Sequence, residues 1–277
     1  MSHLIAALIR TRFVMQLLEV PAKEGYVWFR QGLWLFRKNP LTFLMLLFIY
    51  LIAAQIAIFI PLIGIVALLV LTPGLSVGIM TACREVIQNR KVMPTVLLAG
   101  FRSNGKQAAR HLLILGGIYA GLVFVLSLIA GTLVDMRALL PVLLKEEPPT
   151  EEAIRQLYYA LLIGAALYTP IAMLFWFAPL LAAWHNVPPV KALFFSWTAC
   201  WRNRGAFFTY ALLFALLLVA VPFFLEAIFS AFGAEGVLSF LVTPYSLLML
   251  AILYCSFYAT YRGCFNIAPP NGDTPAA

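Results

Sequence analysis

The chain has 277 residues, 63% of them hydrophobic and 11% charged, with a net charge of +8. Soluble domains are typically about 45–50% apolar and about 25% charged, so this composition excludes a soluble globular protein, whose surface must be wetted. The Lys and Arg residues sit in short stretches between long apolar runs, which speaks for a membrane surface and against nucleic acid as a partner.

Residues 1–20 read as an N-terminal extension. Within it, Leu4–Ile9 is too short for a secretory signal and is followed at once by Arg10 and Arg12, so the first span is expected to act as an uncleaved insertion signal. Met15-Gln16-Leu17-Leu18-Glu19 resembles a start of its own, which would make residues 1–14 an upstream addition. Gly25–Lys38 then mixes Val27, Phe29, Leu33, Trp34 and Phe36 with Arg30, Arg37 and Lys38. That is the pattern of a helix lying in the interface, its apolar face in the acyl boundary and its cations among phosphates.

Six runs are long enough to cross a bilayer: about Pro40–Phe59, Leu62–Cys83, His111–Val134, Tyr158–Ala183, Ala206–Phe229 and Val237–Thr260. Pro61 separates the first two, and its missing donor and ring clash predict a tight hairpin there. The predicted fold is all-α: a polytopic six-helix membrane bundle made of three hairpins, each preceded by an interfacial amphipathic helix. One membrane domain covers residues 21–265, and 266–277 form a flexible tail.

Charge sets the orientation. Sixteen of the 19 Lys and Arg residues fall on one side of the six runs, leaving Arg137, Lys145 and Arg155 on the other. By the positive-inside rule both termini are expected in the cytoplasm of a bacterial inner membrane.

Two marks recur. Phe36-Arg37-Lys38-Asn39-Pro40 is echoed by Phe101-Arg102-Ser103-Asn104-Gly105 and by Trp201-Arg202-Asn203-Arg204-Gly205, each just ahead of an odd-numbered span. Thr72-Pro73, Thr169-Pro170 and Thr243-Pro244 mark the even-numbered spans. Together they predict an internal repeat with units at about 21–91, 92–186 and 187–265. In each unit the arginine can snorkel to headgroup depth, and the Thr-Pro step frees a carbonyl that marks a kink or a polar patch.

The second unit carries a far-side insert at about 135–156. Its Lys145-Glu146-Glu147-Pro148-Pro149-Thr150-Glu151-Glu152 run reads as a solvated loop, with Thr150 as N-cap of the fourth span. Gly74-x-x-x-Gly78 and Gly117-x-x-x-Gly121 offer close-packing faces, within the bundle or in a homo-oligomer. Gln55 is the sole side-chain amide in a span, and an interhelical hydrogen bond is its expected use. Glu226 falls near the far interface.

Catalytic signatures are scarce. His3, His111 and His185 form no H-E-x-x-H, no phosphate-binding glycine loop is present, and Cys83, Cys200, Cys255 and Cys264 have no C-x-x-C spacing. No cofactor, no metal and no catalytic residue is expected.

Val20-Pro21-Ala22-Lys23-Glu24-Gly25-Tyr26, followed by Phe36–Leu41, is similar to the opening of a bacterial six-span inner-membrane family that has no assigned activity. The repeated interfacial helix plus hairpin loosely resembles the membrane domain of some glycerophosphodiester phosphodiesterases. The resemblance covers about Val20 to Phe265 and implies the fold alone; there is no soluble phosphodiesterase domain here, and no functional residues carry over.

The function these features favour is non-enzymatic, in envelope or lipid organisation. Arg37, Lys38, Arg102, Lys106, Arg202 and Arg204 are the candidate contacts to headgroups of membrane lipids, anionic ones above all. The alternative is a transporter or channel for a small neutral or apolar solute, its path lined by Gln55, Thr72, Thr169 and Thr243 around Pro73, Pro170 and Pro244.

Overall fold

The computed structural model describes residues 16–60, 62–102, 105–133, 150–232 and 235–266. Residues 1–15, Pro61, the Ser103-Asn104 part of the second arginine motif, insert residues 135–149 and the tail beyond 266 lie outside these.

Among the described residues, six helices are long and apolar enough to cross a membrane: Pro40–Ile58, Ile63–Ile87, Gly105–Leu133, Glu151–Trp184, Arg204–Ala231 and Leu241–Cys264. The elements in chain order are β1 (Gln16–Leu17), α1 (Glu24–Lys38), α2 (Pro40–Ile58), α3 (Ile63–Ile87), a 3₁₀ turn (Pro94–Leu98), α4 (Ala99–Arg102) and α5 (Gly105–Leu133). They continue with α6 (Glu151–Phe175), α7 (Ala178–Trp184), α8 (Pro189–Arg202), α9 (Arg204–Ala231), α10 (Glu235–Cys264) and β2 (Phe265–Asn266). Among the described residues the bundle is all-α apart from the two-residue β1–β2 clip.

Local chemistry explains the boundaries. Pro40 sits in the first turn of α2, where its missing N–H is no loss, and the Asn39 side chain accepts from the Thr42 amide at 3.4 Å. Between α2 and α3 the chain reverses with Leu62 at φ 60°. Gly64 packs there directly on the Ala57 carbonyl, so any Cβ would prise the hairpin open. On the far side, the Thr150 hydroxyl accepts from the Ala153 amide at 3.2 Å, with Glu151 and Glu152 in the first turn of α6.

Each non-spanning segment seats on a neighbouring hairpin. The Pro94–Arg102 stretch lies along α3, where Gly74 meets the Phe101 ring, Gly78 meets the Leu97 backbone and Gly100 meets the Gly74 carbonyl. Helix α8 is tied to the α6–α7 junction through Ser196, which donates to the Met173 carbonyl at 2.7 Å and accepts from the Phe177 amide at 2.9 Å. Helix α1 reaches across to the last hairpin: Gly25 touches the α9 backbone at Ala206 and Tyr210, and Gly32 touches α10 at Ser256.

Part of the α1 surface expected to face lipid is taken up by protein instead, while Trp34 stays exposed. Trp28, Leu35 and Phe36 are buried in protein, and Trp28 packs against Phe207 with ring centroids 5.2 Å apart. The two glycines, two helical turns apart, allow the close approach. The buried side chains of the spans gather toward this same end, with Phe43 and Leu47 on α2, Cys83 and Val86 on α3, Leu112 and Leu115 on α5 and Cys255 and Tyr261 on α10.

Of the two glycine pairs singled out by sequence, Gly74 and Gly78 pack within the bundle. On α5 it is Gly116 that packs, against the Val70 carbonyl of α3, whereas a Cβ at Gly117 or Gly121 would meet open space. Residues 16–20, assigned by sequence to the extension, belong to the fold. Gln16 pairs with Asn266 and Leu17 with Phe265 in an antiparallel clip. The Asn203 side chain accepts from the Val20 amide at 2.8 Å and donates to the Leu18 carbonyl at 2.9 Å.

Candidate functional site: the basic face and its clefts

The chain turns that carry most of the Lys and Arg residues meet at one end of the bundle, the basic face. Cations there lie over aromatic rings. Arg30 sits 5.9 Å from the Tyr26 centroid, Lys38 5.4 Å from Trp34, Arg84 5.0 Å from Trp184 and Arg204 5.8 Å from Trp201. Each pair combines a ring suited to headgroup depth with a cation whose stem lies along apolar surface.

The six candidate headgroup contacts divide by role. Arg37 and Arg102 are exposed. Lys38 donates to the Ile87 carbonyl at 3.2 Å, bridging α1 to the end of α3. Arg202 pairs with Glu19 on the N-terminal strap, so part of its charge is already answered within the protein. Arg204 is stacked on Trp201, which itself lies parallel to Trp197 at 6.0 Å.

Lys106 opens onto a cleft of about 520 Å³ lined also by Gln107, Arg110, His111, Ile114 and Pro189. Lys106 and Arg110 are four residues apart and therefore on one face of α5. His111 Nδ1 is buried beside them and has no hydrogen-bond partner among the described residues. Arg110 and His111 were not singled out by sequence; their spacing from Lys106 was the available signal. A second cleft, of about 350 Å³, lies between α1 and the end of α10.

The hydroxyls of two of the three Thr-Pro steps are used locally. Thr72 donates to the Leu68 carbonyl at 2.8 Å and Thr169 to the Ala165 carbonyl at 2.7 Å, each within its own helix. Pro73, Pro170 and Pro244 are all interior to continuous helices, as is Pro222 of α9, and Thr243 is exposed on the lipid-facing perimeter. Gln55 is exposed and makes no hydrogen bond among the described residues. Polar contacts that do cross between spans include the Tyr119 and Tyr168 hydroxyls, which meet at 3.1 Å and join α5 to α6, the Tyr245 hydroxyl, which donates to the Leu217 carbonyl at 2.7 Å, and the Tyr210–Ser256 hydroxyl pair.

Among titratable groups just outside the spans, His185 bonds the Tyr261 hydroxyl at 2.6 Å, and burial lowers its pKa. Burial pushes the Cys200 thiol up, keeping it protonated. All four cysteines are free and buried, and no three His, Cys, Asp or Glu side chains among the described residues gather to hold a metal ion.

A six-span all-α bundle with a cationic, aromatic-rimmed face defines a polytopic integral membrane protein. The chain is 50% identical over 261 residues to a protein of Burkholderia thailandensis named a probable inner membrane protein, which covers 92% of this chain and 96% of that relative. It belongs to the same family. No family model and no solved structure matches it.

Proposed function

We propose that this is a non-enzymatic inner-membrane protein that organises lipid, with its basic face and both chain ends in the cytoplasm. The observation that carries the reading is the cleft at Lys106 and Arg110. Two cations of one helix face suit an anionic headgroup, with a buried imidazole nitrogen beside them and, among the described residues, neither a partner for that nitrogen nor a carboxylate in the lining. The aromatic-stacked cations around the same face extend that contact over several lipids. The alternative of a path for a neutral solute has less support, since the Thr72 and Thr169 hydroxyls are used within their own helices.

The test is lipid retention. Purified protein carrying Arg37, Lys38, Arg102, Lys106, Arg202 and Arg204 as glutamine is compared with wild type by native mass spectrometry after exchange into phosphatidylglycerol-containing nanodiscs. Each cation near the surface contributes about 1 kcal/mol, so a substantial loss of retained phosphatidylglycerol is expected. Retention equal to wild type would sink the proposal.

A further inference from the structure

The cleft between α1 and α10 has a different chemistry from the one at Lys106. Its lining brings together Glu24 at the start of α1, Arg262 in the last turn of α10, Tyr258 one turn before it, and Trp28 and Trp34. Glu24 and Arg262 line the same space, yet neither forms an ion pair among the described residues, with each other or with a third group. Opposite charges that share a cleft of about 350 Å³ without meeting leave room for something between them.

Trp28 supplies the second observation. It is 1% exposed, its indole Nε1–H is buried, and that donor has no acceptor among the described residues. A buried donor left unmade is costly, so a ligand that supplies an acceptor is favoured there. Gly263, which also lines the cleft, lies directly against this nitrogen, so the backbone there is shaped around the indole edge. Lys38 caps the rim from above Trp34 and is held there by its bond to the Ile87 carbonyl, Ile87 being a further lining residue.

We infer that this cleft binds the headgroup of a zwitterionic aminophospholipid, its phosphate toward Arg262 and the Trp28 indole N–H and its primary ammonium toward Glu24. The guanidinium offers the fork that matches phosphate oxygens. The carboxylate accepts N–H donors that a primary ammonium has and a quaternary one lacks. A purely anionic headgroup places nothing positive near Glu24. The position fits as well: Glu24 is in the first turn of α1 and Arg262 in the last turn of the final span, at the basic end of the bundle. The inference goes beyond the diffuse attraction of the basic face for anionic lipid and stands on Glu24, Arg262 and Trp28, none of which is substituted in the test of that reading, so either can fail alone.

The experiment uses the full chain in nanodiscs of equal parts phosphatidylethanolamine, phosphatidylglycerol and phosphatidylcholine, with retained lipid identified by native mass spectrometry. One phosphatidylethanolamine per chain is expected to survive activation, favoured roughly tenfold over phosphatidylcholine, the factor a charge-assisted hydrogen bond supports. Glu24→Gln removes that preference while leaving phosphatidylglycerol retention unchanged, and Arg262→Gln lowers retention at this site for all three lipids. Trp28→Phe keeps the packing and removes the donor, and is expected to weaken retention in the same direction. Equal retention of phosphatidylethanolamine and phosphatidylcholine, or a preference that survives both Glu24→Gln and Arg262→Gln, overturns the inference.

Discussion

Replacing Asn203 with alanine should release the N-terminal strap. Asn203 is 1% exposed, and its side chain holds three backbone groups at once. It accepts from the Val20 amide at 2.8 Å and donates to the Leu18 carbonyl at 2.9 Å and the Ala199 carbonyl at 3.0 Å. Ala199 keeps its helical partner, the Asn203 amide, so only the two strap groups lose their bonds outright. A buried polar group stripped of its partner costs about 1–3 kcal/mol. The strap is half-exposed and water replaces part of the loss, which brings Asn203→Ala to about 2 kcal/mol in total. Glu19→Gln is the control. It removes the ion pair with Arg202, but both side chains are more than half exposed, and such surface pairs contribute about 0–1 kcal/mol. The assay is amide hydrogen exchange at residues 16–20 alongside thermal unfolding in nanodiscs. Asn203→Ala should lose protection in that stretch and melt lower, whereas Glu19→Gln should do neither to a comparable degree. Wild-type protection and midpoint in Asn203→Ala would refute the assignment of Asn203 as the anchor.

Three further outcomes are expected. Gly32→Leu should destabilise strongly, because the added carbons run into the Ser256 backbone of α10, while Gly117→Leu should be near neutral, since open space surrounds that position; thermal unfolding of the pair checks both. Acidification should weaken the fold through His185. Its folded pKa is lowered by burial, so the unfolded chain binds the extra proton, and stability falls as pH drops through the ordinary histidine value of about 6.5. His185→Gln, which keeps a partner for the Tyr261 hydroxyl, should flatten the difference between melting curves at pH 7.5 and 5.5. Finally, Ser196→Ala should loosen α8 from the α6–α7 junction by about 2 kcal/mol, as it leaves the buried Phe177 amide without its acceptor, read out as faster exchange at that amide.

The spans were legible because the hydrocarbon sets their length. The runs at Pro40, Leu62, Ala206 and the others agree with the helices to within a few residues at most ends, and Thr150 could be read as a cap from its side chain and the acids after it. Packing was less legible. An amphipathic segment presents the same face to lipid as to protein, so nothing in Gly25–Lys38 announced that Trp28 would be buried against Phe207. The glycine faces show the same limit. A register shift of one residue, from Gly117 to Gly116, turns a helix by about 100° and changes which glycine meets α3. Asn203 was read as one member of a repeated motif, but its partners at Leu18 and Val20 lie more than 180 positions away, a distance no local pattern reports. Of the site, the cations were visible as charge. The clefts they line depend on Pro189 meeting α5 and on Ile87 and Gly263 meeting α1, which only the assembled bundle provides.

The central claim is a six-span bundle whose basic face is cytoplasmic, and side-specific cysteine labelling tests it most directly. The four native thiols are buried, so single cysteines introduced at exposed positions stand out against little background. Gln88→Cys lies just past α3 on the basic face and Phe232→Cys just past α9 on the opposite one. In intact spheroplasts a membrane-impermeant maleimide should label Phe232→Cys and spare Gln88→Cys until the membrane is broken. Labelling of Gln88→Cys in sealed spheroplasts, or of both positions from the same side, would contradict the claim.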